Sequence, residues 1–386
     1  MRRRLFLICL LIFLTLGSVH ADGMENLLDE QLNQLNLDEI QRFADDIVLN
    51  SEGMITEISI KEIIKSVYID SGSLSLKAIF SKLWLFLWRE LAQNLDLLGK
   101  IMILSVFCAI LQNLHAGFDD ESVGKIAYSV CYVLIIILAI GSFSIVSKLC
   151  INTIDKMVSF MQSLLPTLIT LLLSVGGITS SSLFQPIVYT SLTLIATIIK
   201  ITVIPMVMFS AVLSIVSNIS EKIKISKLAS LVRGVAVGML GIMLTIFTGI
   251  ISVQGLASSS LDGLAAKTAK FAVDSFVPII GDFLSEAFDT VISCSLIIKN
   301  GISIAGLFII LMICLFPLIK IFSIFAIYKV SGALIQPIVD NELVQCINDI
   351  STSIFIMLCC VVSVGILFFI SITVIMGIGN MTVMMR

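Results

Sequence analysis

The sequence predicts an all-α membrane protein that crosses the bilayer several times. Of its 386 residues, 58% are hydrophobic and only 13% are charged, whereas soluble domains carry roughly 25% charged residues. Residues 157–199 hold no charged side chain in 43 positions, and a helix needs about 20 apolar residues to cross a bilayer core. These runs are continuous rather than alternating, which favours helices over a β-barrel.

The N-terminus has the pattern of a secretory signal peptide over residues 1–21. Three arginines at 2–4 precede an apolar stretch at 5–16, and Val-His-Ala at 19–21 places small residues at the two positions that a signal peptidase reads. An uncleaved signal anchor is the alternative. In both cases Asp22 and the residues after it are expected outside the cytoplasm.

The segment after the leader is acidic, because 14 of the 27 Asp and Glu residues lie in 22–96. Residues 22–75 are predicted to form a small helical extracytoplasmic domain, since Leu and Ile recur there at helical spacing. Over 76–96, Trp84 and Trp88 stand beside basic side chains, a combination typical of a membrane–water boundary. We predict an interfacial amphipathic helix there, with a soluble amphipathic helix as the alternative.

The rest of the chain is expected to be membrane-embedded. Residues 97–147 hold the first two transmembrane helices, 153–256 a first membrane repeat, 257–379 a second, and 380–386 a C-terminal tail. This division has about six spans and two further proline- or glycine-broken, re-entrant elements. Seven or eight spans result if those elements cross. The connector at 220–233 is basic, which predicts a cytoplasmic loop.

A possible internal repeat with an offset of 112 residues underlies this division. The offset relates Pro166 to Pro278 and Pro205 to Pro317. In lipid, backbone groups freed by a proline must find partners inside the protein. The stretches that begin near Pro166 and Pro278 are therefore predicted to be broken or re-entrant helices packed against neighbouring spans.

Charged residues near these stretches are candidate functional groups. Asp282, Glu286 and Asp289 share one helical face and cannot face hydrocarbon, so they belong to a solvated interfacial helix or to a conduit lining. Lys200 and Lys320 interrupt apolar runs, and either pair within the protein or snorkel to an interface. The candidate conduit and structural residues are Pro166, Gly176, Gly177, Lys200, Pro205, Asp262, Lys270, Pro278, Gly281, Asp282, Glu286, Asp289, Pro317 and Lys320.

The motifs of common enzymes are missing from the sequence. His115 is the one histidine after the leader, and the cysteines sit largely within apolar runs, so no metal centre is predicted. There is neither a phosphate-binding P-loop nor a nucleophile elbow. A net charge of −3 argues against nucleic-acid binding. We therefore expect no enzyme activity and no cofactor.

A combination of residues between Gln254 and Gly306 resembles the stage III sporulation protein AE family of endospore-forming bacteria. The stretches FMQSLLP, GGITS at 176–180, KLASLVR and IQPIVDNEL resemble it as well, in the same order along the chain. The matching positions are Gln254, Gly255, Asp262, Gly263, Lys267, Lys270, Ala272, Phe276, Pro278, Gly281, Asp289, Thr290, Lys299 and Gly301.

The resemblance implies a role in spore formation. Members of the family sit in the mother-cell membrane that surrounds the forespore. They act with other stage III A sporulation membrane proteins and, indirectly, with stage II protein Q, in an assembly regarded as a channel or secretion-like complex. Self-association is open, and membrane lipid is an expected partner. Two alternatives remain: a stand-alone secondary transporter of a small solute, and a structural membrane anchor for partner proteins.

Overall fold

The computed structural model describes residues 37–50, 59–61, 76–115, 121–219, 225–276 and 281–384. The predicted signal peptide, most of the predicted extracytoplasmic domain, and Pro278 lie outside these ranges. All described secondary structure is helical. The prediction of an all-α protein is therefore confirmed for the part of the chain that the structure describes.

Nine α-helices and one short π-helix account for nearly all of the described residues. They are α1 (Asp38–Asn50), α2 (Leu76–Gln93), α3 (Leu95–His115), α4 (Glu121–Ser174), α5 (Ile178–Ile198), the π-helix (Ile199–Val203), α6 (Ile204–Ile219), α7 (Ser226–Phe276), α8 (Gly281–Ile335) and α9 (Asn341–Met384). The segments α5, π-helix and α6 follow one another without a loop.

Several helices are far longer than a bilayer requires. Helix α4 has 54 residues and α8 has 55, so each is about 80 Å long at 1.5 Å per residue, against a bilayer core of about 30 Å. Within the described residues, six helical segments of 29 to 45 residues are apolar enough to cross a membrane. Six spans agree with the predicted number, although their boundaries differ.

Helices α4, α8 and α9 form the centre of the bundle, and α8 packs most extensively against the other two. Helices α4 and α8 are antiparallel: Tyr328 of α8 donates a hydrogen bond to Ser142 Oγ (2.8 Å) near one end, and Gly306 meets Leu164 nearer the other. A Cβ on Gly306 would come within 2.7 Å of Leu164, so glycine there allows the close approach. The large buried side chains include Phe86, Met157, Phe160, Phe247, Tyr328 and Phe368.

The chain turns sharply between α4 and α5 at Gly176 and Gly177. Gly176 has φ 92°, a left-handed conformation that glycine adopts without a steric penalty. Its N–H bonds Leu173 O and the Gly177 N–H bonds Leu172 O (both 2.9 Å), the pattern of a Schellman C-cap. The break predicted in residues 163–186 therefore exists, but it lies at the two glycines.

The expectation that Pro166 breaks the chain is wrong. Helix α4 continues through Pro166 to Ser174, although a proline inside a helix removes one hydrogen bond and costs about 3 kcal/mol. Leu164, Leu165 and Leu168 on either side are buried in the core, and their packing holds the helix together. Pro317 likewise lies inside the uninterrupted helix α8.

Pro205 coincides with an irregularity instead. The π-helix Ile199–Val203 ends just before it, and the Ile204 N–H bonds Ile199 O five residues back. Proline cannot donate to the carbonyl four residues earlier, and a widened turn ahead of it accommodates that loss. Lys200 lies within this widened turn.

Several predicted boundaries fall inside continuous helices. The one near 147–153 lies within α4, the one at 256–257 within α7, and the predicted tail begins within α9. At the 112-residue offset, the turn at Gly176 corresponds to a position inside α8. The re-entrant elements and the repeat therefore stay predictions.

Candidate functional site

A belt of ion pairs between helices crosses the bundle partway along its length. Lys156 Nζ of α4 lies 2.6 Å from Asp46 Oδ2 of α1, and Lys200 Nζ of the π-helix lies 2.6 Å from Asp155 Oδ1 of α4. Because Asp155 and Lys156 are adjacent and pair with different helices, this one dipeptide connects α4 both to α1 and to the π-helix.

A third pair joins the first candidate span to α8. Lys320 Nζ lies 3.5 Å from Glu90 Oε1 of α2. The Glu90 side chain is only 6% exposed, whereas that of Lys320 is 38% exposed. Next to this pair, Phe86 packs edge-on against Phe316, with ring centroids 5.2 Å apart. We call the six residues of these three pairs the charge belt: Asp46, Glu90, Asp155, Lys156, Lys200 and Lys320.

Two cavities flank the pair between Asp46 and Lys156. The larger, of about 640 Å³, is lined by Glu39, Arg42, Phe43, Asp46, Asn152, Asp155, Lys156, Ser159 and Ser163. The smaller, of about 250 Å³, lies on the side of Lys320 and Pro317. Both are lined by Asn152 as well as by the ion pair, so the pair stands between two clefts that are partly open to solvent.

Asp262 caps helix α5 from a distance of more than 80 positions in the sequence. Its Oδ1 accepts the Thr179 N–H (2.7 Å) and its Oδ2 accepts the Ser180 N–H (3.0 Å). These are two of the four N–H groups that the first turn of a helix leaves without intrahelical partners. Asp262 is fully buried on α7, so the carboxylate ties α7 to the turn at Gly176 and Gly177.

A second polar layer on α8 and α9 lies toward the same end of the bundle. Lys299 is fully buried, and its Nζ donates to the backbone carbonyl of Met376 (2.9 Å). The Asn300 side chain donates to Asn380 Oδ1 (3.0 Å). This pair of contacts fastens the start of α8 to the last turns of α9.

The length of uncharged helix between the charge belt and these end residues matches the thickness of a bilayer core. Lys299 and Lys320 are 21 positions apart on α8, as are Thr179 and Lys200 on α5 and the π-helix, which is about 31 Å along each axis. No Asp, Glu, Lys or Arg stands between either pair of positions. We call the layer between the charge belt and these end residues the slab. It has the thickness and the composition of a bilayer's hydrocarbon core, about 30 Å.

The opposite end of the bundle is held by another charged contact. Arg233 of α7 donates to Asp349 Oδ1 of α9 and to Ser214 Oγ of α6, both at 3.2 Å. Both charged side chains are mostly withdrawn from solvent. Arg233 belongs to the predicted basic connector, and part of that charge is used to join α6, α7 and α9.

The predicted site residues fall into different parts of the structure. Lys200 and Lys320 belong to the charge belt and Pro317 lies beside it. Gly176 and Gly177 form the turn before α5, and Asp262 caps that helix. Pro166 lies inside α4 and belongs to neither group. Residues Gly281, Asp282, Glu286 and Asp289 belong to the first turns of α8 and Lys270 to α7; the side chains of Lys270 and of the three acids lie outside the described ones.

Sequence reasoning assigned no structural role to six charged residues that organise the structure. Their signal was present: Asp155-Lys156 is the charged dipeptide between two uncharged runs, and Lys299 precedes another such run. Partners could not be assigned, because an ion pair depends on helix register. These residues are Asp46, Glu90, Asp155, Lys156, Lys299 and Asp349.

Replacing Gly176 with valine is expected to strain the turn between α4 and α5. A β-branched residue is an outlier at positive φ, and the left-handed conformation costs about 1–2 kcal/mol for an L-residue. We expect a lower melting temperature for the purified Gly176→Val chain in detergent. Gly234→Val is the matched control, since Gly234 faces open space on α7; equal melting of the two variants would contradict the prediction.

The fold and these contacts define a multi-pass helical membrane protein whose long helices are joined by buried polar contacts. The family model described as stage III sporulation protein AE matches residues 58–379, so the chain belongs to that family. The sequence is also 38% identical over 370 residues to stage III sporulation protein AE of Bacillus subtilis (strain 168), covering 95% of this chain and 92% of that protein. No solved structure matches the chain.

Family membership confirms the resemblance seen in the sequence and identifies a sporulation membrane protein. Among the described residues, no group of three His, Cys, Asp or Glu side chains is arranged to hold a metal ion. The charge belt and the Asp262 cap instead join helices that are far apart in the sequence. The arrangement is suited to holding long apolar helices in a fixed register.

Proposed function

We propose that this protein is a multispan membrane subunit of a channel or secretion-like complex between mother cell and forespore, needed for forespore development. In this proposal it resides in the mother-cell membrane, with its N-terminal domain in the intermembrane space. It acts there with other stage III A sporulation proteins and, through them, with stage II protein Q. Its contribution is structural and conductive, without catalysis.

The length of the apolar helices carries this proposal. A bilayer core covers about 20 residues of a helix, whereas the six candidate spans have 29 to 45 residues. If lipid surrounds the slab between the charge belt and Lys299, the helices continue for many turns beyond it. There Ile103 (71% exposed) and Ile137 (58% exposed) remain uncovered in the single chain, so in this proposal the segment 97–147, predicted from the sequence to be transmembrane, lies outside that slab.

Exposed apolar side chains outside lipid need another protein surface. Large exposed apolar patches on proteins mark interaction sites. The slab and the region beyond it are both apolar, and a bilayer core is long enough to cover only one of them. We expect other subunits to cover the remaining exposed apolar surface. This favours a component of an assembly over a stand-alone transporter.

A tagged copy of this chain, purified in mild detergent from sporulating cells, tests the proposal. We expect it to co-purify with other stage III A proteins in a particle several times larger than one chain. Reconstituted alone in vesicles, it should not accumulate small solutes. A monomeric particle that accumulates a solute by itself would favour the transporter alternative, and a monomer without partners or transport would contradict both.

A further inference from the structure

Helix α1 lies in a groove between α4 and α8, and the groove is complementary to it in charge. The helix carries Asp38, Glu39, Asp45 and Asp46 against one base, Arg42. The groove presents Lys156 of α4 and Lys320 of α8. The pair between Asp46 and Lys156 (2.6 Å) lies at the centre of the contact. Lys156 is therefore the basic partner of this acidic helix, and Lys320 lies nearby in its pair with Glu90.

One face of α1 is apolar and buried. Leu37, Ile40, Ala44 and Ile47 recur at helical spacing and are all buried. Phe43 adds an edge-on contact with Phe160 of α4, with ring centroids 5.4 Å apart. The groove therefore fits an amphipathic helix that combines an apolar face, an aromatic side chain and acidic side chains.

The α1 contact is partly open to solvent around its ion pair. Clefts of about 640 and 250 Å³ flank that pair. The two charged side chains of the pair remain about half exposed, and such pairs hold weakly. A 13-residue helix is also marginal on its own. These features are typical of a contact that opens and closes.

We propose that this groove is a docking site for an acidic amphipathic helix of a partner protein, and that α1 occupies it when the partner is absent. The partner helix would bring a carboxylate to Lys156 and an aromatic side chain to Phe160. Binding would displace α1 and expose its apolar face, which is buried in the structure. The site depends only on contacts between α1 and the bundle, so it stands whether or not the chain takes part in a conduit.

A labelled synthetic peptide of residues 37–50 serves as the probe, because it carries the chemistry of the expected partner helix. Its binding is measured by fluorescence anisotropy to the full chain in detergent. In a Phe43→Ala/Asp46→Ala chain, α1 is held more weakly and the groove opens. We expect about tenfold tighter peptide binding to that chain than to the unmodified one, as a tenfold larger fraction of open grooves would give.

Charge reversal shows whether the peptide occupies the proposed groove. Adding Lys156→Asp to the opened chain should weaken binding about fivefold or more, since a favourable pair becomes a repulsive one. A peptide that carries Asp46→Lys should bind this Lys156→Asp chain tightly again, because the pair regains opposite charges. Lys100→Asp is the control, because Lys100 pairs with Asp96 within α3 (2.6 Å), away from the groove. Unchanged melting temperatures establish that each variant is folded.

Three results would overturn the docking site. The peptide could bind the opened chain no better than the unmodified chain, or bind equally after Lys156→Asp. The unmodified chain could also prove dimeric and become monomeric on Lys156→Asp. That result would identify the occupant as α1 of a second copy rather than a partner protein.

Discussion

Replacing Asp262 with alanine is expected to destabilise the protein by about 1–3 kcal/mol or more, the cost of leaving buried donors unsatisfied. The carboxylate accepts the N–H groups of both Thr179 and Ser180, and it is fully buried. Water does not replace a buried acceptor readily. The first turn of α5 should open, and with it the contact between α5 and α7.

Two measurements separate this loss from a general effect of losing an acid. Thermal unfolding in detergent gives the stability, and hydrogen exchange gives the protection of the Thr179 and Ser180 amides. Asp262→Asn keeps one acceptor oxygen and should fall between alanine and the original residue. Asp96→Ala is the control, because the Asp96 side chain is 74% exposed and pairs within its own helix. Similar melting of Asp96→Ala and Asp262→Ala chains would contradict the capping role.

The fold class followed from the sequence because membrane insertion is governed by local composition. Long uncharged runs such as 157–199 exceed the length of a span whatever their neighbours do. The positions of helix ends were harder to infer. Gly176 and Gly177 end α4 as their residue type suggests, whereas Pro166 does not break it, because tertiary packing outweighs the lost hydrogen bond.

The candidate site could be inferred only in part, for a related reason. Lys200 and Lys320 were recognised because a lysine among apolar residues needs an explanation. Their partners, Asp155 and Glu90, lie 45 and 230 positions away. Periodicity identifies a helix face but does not fix the relative register of two helices, so the pairing required the structure. Asp262 was also identified from the sequence as a candidate residue, but its role as the cap of α5 was not.

Removing the positive charge of Lys320 is expected to leave a buried carboxylate without its partner. Glu90 is almost completely buried at this contact, and Lys320 Nζ is 3.5 Å away. Breaking a buried pair costs roughly 3–5 kcal/mol. Because Lys320 is 38% exposed and solvent screens it partly, we expect about 2–3 kcal/mol for Lys320→Met. The methionine keeps the length of the apolar stem, so the loss reports on charge.

A double variant distinguishes an unpaired charge from lost packing. Glu90→Leu/Lys320→Met removes both charges and should recover most of the stability, because replacing a buried pair with apolar residues is often neutral or stabilising. Lys100→Met is the control: its partner Asp96 is exposed, so the change should stay within about 0.5 kcal/mol. Denaturation in detergent compares all three with the unmodified chain. A double variant that unfolds as easily as Lys320→Met alone would show that packing, and not the pairing of Glu90 with Lys320, holds α2 against α8.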